Sequence, residues 1–250
     1  MPTPLPIFVI NLDRSKSRWQ QVTSRLSQLN LEHQRVSAVD GKTLQVEDIS
    51  QVYSATLNKS LFRYDLTLGE IGCYLSHRHI WQTMVDQQIP YAVILEDDIN
   101  IQTEFAHVLD MLVQYSDWEL VKLGDDRDLP FYQQHSEAPF IWGNYKKIPN
   151  CTLAYAISLS AAKKLLSREK FYRPIDIDMQ FPTKLSLNVL GLKPYAVSPN
   201  LDFDSEIVAI NKGKHKGNTS FWRNLKYRIM LAWQRKKYTS GNLNQIKKAT

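Results

Sequence analysis

Residues 91–100 read YAVILEDDIN: five residues that are apolar apart from the tyrosine hydroxyl, then Glu96, Asp97 and Asp98 in a row. A short apolar run rich in β-branched residues is the pattern of a strand covered on both faces. Three carboxylates gain nothing from burial and repel one another. In open α/β sheets ligands bind just outside the carboxyl ends of the strands, so these acids sit where a ligand would.

Outward from this stretch, strand and helix patterns alternate. Apolar strand runs recur at 6–10, 34–39, 118–123, 153–158 and 194–198, with helical spacing at 13–29, 68–85, 103–115 and after Ser160. Such alternation predicts an α/β fold whose mainly parallel sheet is flanked by helices. Several strands run into polar or acidic residues: Asn11 and Asp13, Asp40, residues 96–98, and Asp125 with Asp126. A parallel sheet gathers those ends on one acidic rim, and an acidic rim needs a cation if its ligand is a phosphate.

The 250 residues are enough for one catalytic body plus an appendage. Residues 207–250 hold eleven Lys and Arg and no acid, which leaves 20 basic and 25 acidic residues, a net of −5, in the rest. The division expected is therefore a body at 1–206 and a basic loop and amphipathic helix at 207–250. The asymmetry points to an anionic partner for the tail. Nucleic acid is the poorer choice because the body's rim is acidic. No apolar run is long enough for a membrane span, and the N-terminus lacks the charge and cleavage pattern of a secretion signal. Two cysteines, Cys73 and Cys151, offer no disulfide framework and fit a reducing cytoplasm.

Glu96 and Asp98 supply hard oxygen ligands suited to Mn²⁺ or Mg²⁺, which bind through one or two carboxylates plus substrate phosphates. Beyond them, FVINLDRSKSRW, RVSAVDGKTL, LTLGEIGCYLSHRHIW, YAVILEDDI, WELVKLG, LAYAISLSAAKKLL and RPIDIDMQ resemble, in order, the segments of glycosyltransferase family 25. This family comprises lipopolysaccharide and lipooligosaccharide galactosyltransferases and their collagen-modifying relatives. The resemblance implies a GT-A fold, a UDP-sugar donor (typically UDP-galactose), a divalent metal on an EDD version of the DxD motif, and inverting transfer.

On the donor side the resemblance points to Asn11, Leu12, Arg14, Asp40, Ser76, His77, Asp97 and Thr152. Arg14 and Arg18, one helical turn apart, have the chemistry to pair with phosphate, and a solvated first helix turn is the plainer reading. Asp40 is either a ribose or base acceptor or an Asp-Gly turn. Cys73, His77 and Trp81 share one helix face, and Glu70 is either part of the site or a first-turn charge favoured by the helix dipole. Cys151 stands where the family's stretch leads one to expect glycine. In RPIDIDMQ an extended chain would turn Asp176 and Asp178 to one side as catalytic acids, Asp176 being the expected base, whereas a helix cap would claim one of them. His215, in the basic loop 212–218, is either a third metal ligand or part of a solvated linker.

Residues 221–238 place Trp222, Leu225, Ile229, Ala232 and Trp233 within about 100° of a helical wheel. That face suits either an anionic membrane interface or packing on the body. The function expected is a metal-dependent inverting hexosyltransferase, peripheral on the cytoplasmic side of a bacterial inner membrane, acting on a glycolipid or oligosaccharide acceptor. The alternatives are a different UDP-sugar such as UDP-glucose, and an inactive nucleotide-sugar-binding protein, which would lack the base.

Overall fold

A computed structural model describes residues 5–202 and 220–248. The chain runs β1 (Ile7–Asn11), α1 (Lys16–Gln28), β2 (Gln34–Ser37), α2 (Val46–Val52), α3 (Ala55–Leu61) and α4 (Leu68–Asp86). It continues through β3 (Tyr91–Leu95), β4 (Ile99–Ile101), α5 (Phe105–Val113), β5 (Tyr115–Ser116), β6 (Leu120–Lys122), β7 (Gln133–Glu137) and β8 (Phe140–Asn144). There follow β9 (Ala154–Ser158), α6 (Leu159–Leu166), α7 (Ile175–Asp178), β10 (Val189–Lys193), β11 (Val197–Pro199), α8 (Phe221–Lys237) and β12 (Lys247–Lys248).

Eight strands form one sheet in the order β2-β1-β3-β9-β6-β10-β8-β7. β2, β1 and β3 are parallel; β9 opposes β3 and β6; β10 runs with β6; β8 opposes both β10 and β7. Six strands therefore share a direction, and β9 and β8 are reversed. The sheet is mainly parallel by direction but mixed by pairing, and the reversal of β9 matters most. It puts the amino end of β9, not its carboxyl end, on the acidic rim.

The apolar strands feed two cores because alternate side chains point to opposite faces. Ile7, Val9, Val93, Leu95, Ala154 and Ala156 pack with α1 and α5 on one side. Phe8, Ile10, Ala92, Ile94, Tyr155 and Ile157 pack with α4 and α6 on the other. A strand covered on both faces cannot alternate apolar with polar, which is why YAVIL reads as a continuous run.

Helix α4 starts with a reciprocal cap. The Thr67 hydroxyl accepts the Glu70 N–H at 3.3 Å, and Glu70 accepts the Thr67 N–H at 2.8 Å. This is the first-turn role open to Glu70, with a further hydrogen bond from the Tyr64 hydroxyl at 2.8 Å. The helix then runs against the turn after β2 with almost no space between backbones. A Cβ at Gly72 would lie 2.5 Å from the Val39 carbonyl oxygen, and one at Gly41 would lie 1.8 Å from that of Leu68. Ser76 closes the contact by accepting the Val39 N–H at 2.9 Å and donating to the Gly72 carbonyl at 2.8 Å.

The segment after the undescribed residues returns to the body. In α8, Tyr227 packs with Phe62 and Phe181, Arg223 donates to the Phe62 carbonyl at 3.1 Å, and Gln234 donates to that of Gln180 at 2.8 Å. β12 then pairs with β5. The apolar face read from the sequence is not the one that packs: Trp222 is 74% exposed, Ile229 60% and Trp233 58%.

Because backbone, not flexible side chain, fills the space beside Gly41, substitution to alanine should cost about 1–3 kcal/mol, the range for overpacking. Urea unfolding of Gly41→Ala checks this; an unchanged midpoint would mean that α4 and the β2 turn separate freely.

Candidate active site

The acidic rim opens into two cavities that meet at Cys73 and Glu96. The first is walled by Leu12, Arg14 and Arg18 after β1, by the turn 38–41, by α4 and by all three acids that follow β3. The second lies between Arg63, Tyr64, Glu70, residues 150–153 and residues 174–177. Each wall is a loop or helix end held by the sheet beneath it.

The three acids are held differently. Glu96 is fixed through its backbone, its N–H donating to the Leu153 carbonyl at 2.9 Å, and through its carboxylate, which accepts from the Thr152 hydroxyl. Burial opposes its charge, but the adjacent His77 ring and the Thr152 hydroxyl outweigh this and hold its carboxyl below the ordinary value. Asp97 accepts from the Asn11 amide at 2.6 Å and from Arg18 at 3.4 Å, and burial keeps its pKa raised. Asp98 is the least compensated. Its Oδ1 is buried with no hydrogen-bond partner, and burial with the neighbouring charges of Glu96 and Asp97 pushes its pKa up to about 7. An orphaned, charge-crowded carboxylate oxygen beside two further acids is a donor set that fits a divalent cation.

The sequence-derived donor residues divide in two. Leu12, Arg14, Asp40, Ser76, His77 and Asp97 all border the first cavity. Arg14 and Asp40 are ion-paired with each other there. Asp40 also caps the short helical turn Gly41–Thr43, accepting the Lys42 N–H at 3.1 Å. Asn11 is 1% exposed; its amide holds Asp97 and the Ser15 carbonyl and its oxygen accepts from Arg35. It positions an acid from behind. Thr152 borders the second cavity and holds Glu96. His215 lies outside the described residues.

Asp176 and Asp178 do not face the same way. Residues 175–178 form a turn of helix after Pro174, not the extended chain that would align them. Asp176 faces the second cavity, where burial pushes its pKa up to about 6. Asp178 is turned into the protein. It pairs with Arg168, lies 3.2 Å from Arg173, and accepts from the Tyr74 hydroxyl at 2.8 Å. This is a structural ion cluster.

Several residues of the cleft were not singled out in the sequence. Arg63 and Tyr64 line the second cavity. Lys122, at the end of β6 and fully buried, donates to the Cys151 carbonyl at 2.6 Å and so supports the strap that carries Thr152. Burial lowers its pKa, while Asp176 and Glu96 among others pull it back up. A lysine inside the apolar run WELVKL was the available signal. TLGE, the capping-box pattern at 67–70, was another.

Fold and cleft together are a mixed α/β sheet with acids at one rim and two cavities that share Glu96. The family profile "Glycosyltransferase family 25 (LPS biosynthesis protein)" matches residues 5–181, and the chain belongs to that family. Procollagen galactosyltransferase 2 of Mus musculus is 30% identical over 236 residues, which covers 86% of this chain and 36% of that protein. A glycosyltransferase 25 family member of Aedes aegypti is 30% identical over 70% of this chain and 30% of its own length. The inactive glycosyltransferase 25 family member 3 of Mus musculus is 32% identical over 70% of this chain and 31% of its own length. The chain thus spans about a third of the length of these relatives.

Removing the charge of Asp178 would leave Arg168 and Arg173 facing each other in the interior. Asp178→Asn should therefore destabilise the fold by roughly 3–5 kcal/mol, the scale for a broken buried ion pair. Thermal unfolding of the purified variant checks this, and an unchanged melting temperature would contradict the structural assignment.

Proposed function

We propose that this chain is a metal-dependent, inverting glycosyltransferase that moves a hexose, galactose from UDP-galactose, onto a glycan of a lipooligosaccharide or lipopolysaccharide. The observation that carries the proposal is the meeting of the two cavities at Glu96: acids that suit a cation and diphosphate on one side, Asp176 on the other. Arg14 and Arg18 border the donor side and can turn to phosphate.

Glu96 and Asp98 would hold Mn²⁺ or Mg²⁺, with Asp97 fixed behind them by Asn11. A divalent cation held there would supply charge neutralisation for the departing UDP. The acceptor hydroxyl would lie in the second cavity, near Asp176. As its oxygen bonds to the anomeric carbon from the face opposite UDP, the bond from that carbon to the phosphate oxygen breaks and the hydroxyl proton passes to Asp176. The raised pKa of Asp176 suits a base that must take up a proton in the transition state. Placing donor and acceptor in adjoining cavities supplies orientation.

The exposed aromatic and basic face of α8 is proposed to lie on an anionic membrane surface, on the cytoplasmic side of a bacterial inner membrane. Trp222, Ile229 and Trp233 are free of the core, while the opposite face of the same helix is anchored by Tyr227 and Gln234. Such a helix can insert apolar side chains without unpacking from the body.

Incubation with Mn²⁺ and a panel of nucleotide sugars tests the reaction class and donor. Asp176→Asn should lower transfer by about 10²-fold or more, the scale of general-base catalysis, with donor affinity within a few-fold of the parent. At saturating metal, activity should fall as pH drops through about 6, where Asp176 takes up a proton and can no longer act as base. Loss of donor binding in the variant would instead move Asp176 to the donor side. For the membrane contact, replacing Trp222 and Trp233 together by alanine should weaken flotation with anionic vesicles about tenfold or more, a difference of roughly 1.4 kcal/mol, without lowering the melting temperature. Equal flotation of variant and parent would remove α8 from the membrane.

A further inference from the structure

Cys73 and His77 lie one helical turn apart on α4 and point to the side where Glu96 stands. A cysteine sulfur, an imidazole nitrogen and a carboxylate oxygen of these three residues all lie within 4.8 Å of one another. A pair spaced i, i+4 on a helix is a spacing that brings two ligands onto one metal ion. The third ligand comes from a different element, as a rigid site requires.

A second observation concerns His77 alone. The residue is 0% exposed, and its Nε2 is buried without a hydrogen-bond partner, 3.7 Å from a Glu96 oxygen. Leaving a buried polar atom unsatisfied costs roughly 1–3 kcal/mol. The other nitrogen is well held: Nδ1 lies 2.8 Å from the Tyr155 hydroxyl, which also accepts from the Trp81 indole at 3.1 Å. In the tautomer that carries its proton on Nδ1 and donates it to Tyr155, the Nε2 lone pair is left for a ligand on the side of Glu96. An outer partner that fixes the ring and frees one nitrogen is the usual support of a metal-bound histidine.

We propose that Cys73, His77 and Glu96 form a site for a borderline-soft divalent cation, Zn²⁺ by its chemistry, with a fourth position open to the cleft. Sulfur and imidazole select such an ion over Mg²⁺ or Mn²⁺, which prefer oxygen. On binding, the Cys73 thiol releases its proton to solvent and coordinates as thiolate, while Nε2 and Glu96 donate lone pairs. Glu96 is also a member of the hard-cation pair with Asp98, so one carboxylate serves two kinds of ion. Zinc in this triad would draw Glu96 away from the pair and inhibit Mn²⁺-dependent transfer. The inhibition rests on the transferase reading; the site does not.

Cobalt is the spectroscopic probe. Full-length protein stripped with chelator and titrated with Co²⁺ should develop a thiolate-to-cobalt charge-transfer band at one ion per chain, displaced by Zn²⁺. Cys73→Ser should abolish the band, and His77→Gln should weaken binding by about tenfold or more. Asp98→Asn should retain the band, which separates this site from the hard-cation pair. Cys151→Ser should retain it too, although Cys151 gathers with Asp125 and Asp126 in a second cluster of the same tightness. Circular dichroism confirms folding; should the buried His77 variant unfold, Cys73→Ser, which exchanges one atom, carries the test. No charge-transfer band in the parent overturns the proposal, as does a band that survives in Cys73→Ser or vanishes only in Cys151→Ser. If zinc binds as described and transfer with Mn²⁺ is untouched, the site stands and the sharing of Glu96 fails.

Discussion

The antiparallel ladder between β3 and β9 is the constraint on which the cleft depends. Pairing of Leu95 with Ala154 brings the chain entering β9 alongside the chain leaving β3, so that Glu96 bonds to Leu153 through the backbone and to Thr152 through the side chain. Had β9 run with its neighbours, residues 150–152 would lie on the far rim, and Glu96 would have no wall opposite it. One reversed strand thus makes Glu96 the partition between two cavities.

The interior around that partition is unusually charged, and each charge is met by a different device. Asp178 is balanced by two arginines and a tyrosine hydroxyl, Asp97 by an amide and Arg18, and Lys122 by a main-chain carbonyl. Buried ions persist only when such partners hold them. Among the buried side-chain atoms without a hydrogen-bond partner, Asp98 Oδ1 and His77 Nε2 belong to residues that line the first cavity.

Much of this was legible in the sequence because the sheet is covered on both faces. YAVIL, PIFVI and LAYAIS could be recognised as strands, and the acids after them as a rim, from composition alone. The direction of β9 was not legible, since an apolar run carries no arrow. The hairpin β7–β8 escaped because QQHSE has neither alternation nor β-branching. The sequence left Asp178 between a place beside Asp176 and a helix-capping role, because its fate depends on Tyr74, more than a hundred residues away, and on a helical turn that two isoleucines and two aspartates do not announce. Ser76, a donor-side expectation of the sequence, borders the first cavity and also seats α4 against the β2 turn through its bonds to Val39 and Gly72, a contact between distant segments that no local pattern announces.

The ends of the sheet have a consequence of their own. β2 at one margin exposes Gln34, Arg35 and Ser37, and β7 at the other is the polar strand QQHSE. Among the described residues each margin strand has a sheet neighbour on one side only and is flanked by charged or amide side chains, a poor template for a foreign strand. The same polarity that hid β7 from sequence reading keeps the sheet from growing by edge-to-edge aggregation, so the apolar interior strands stay between two margins that resist recruitment.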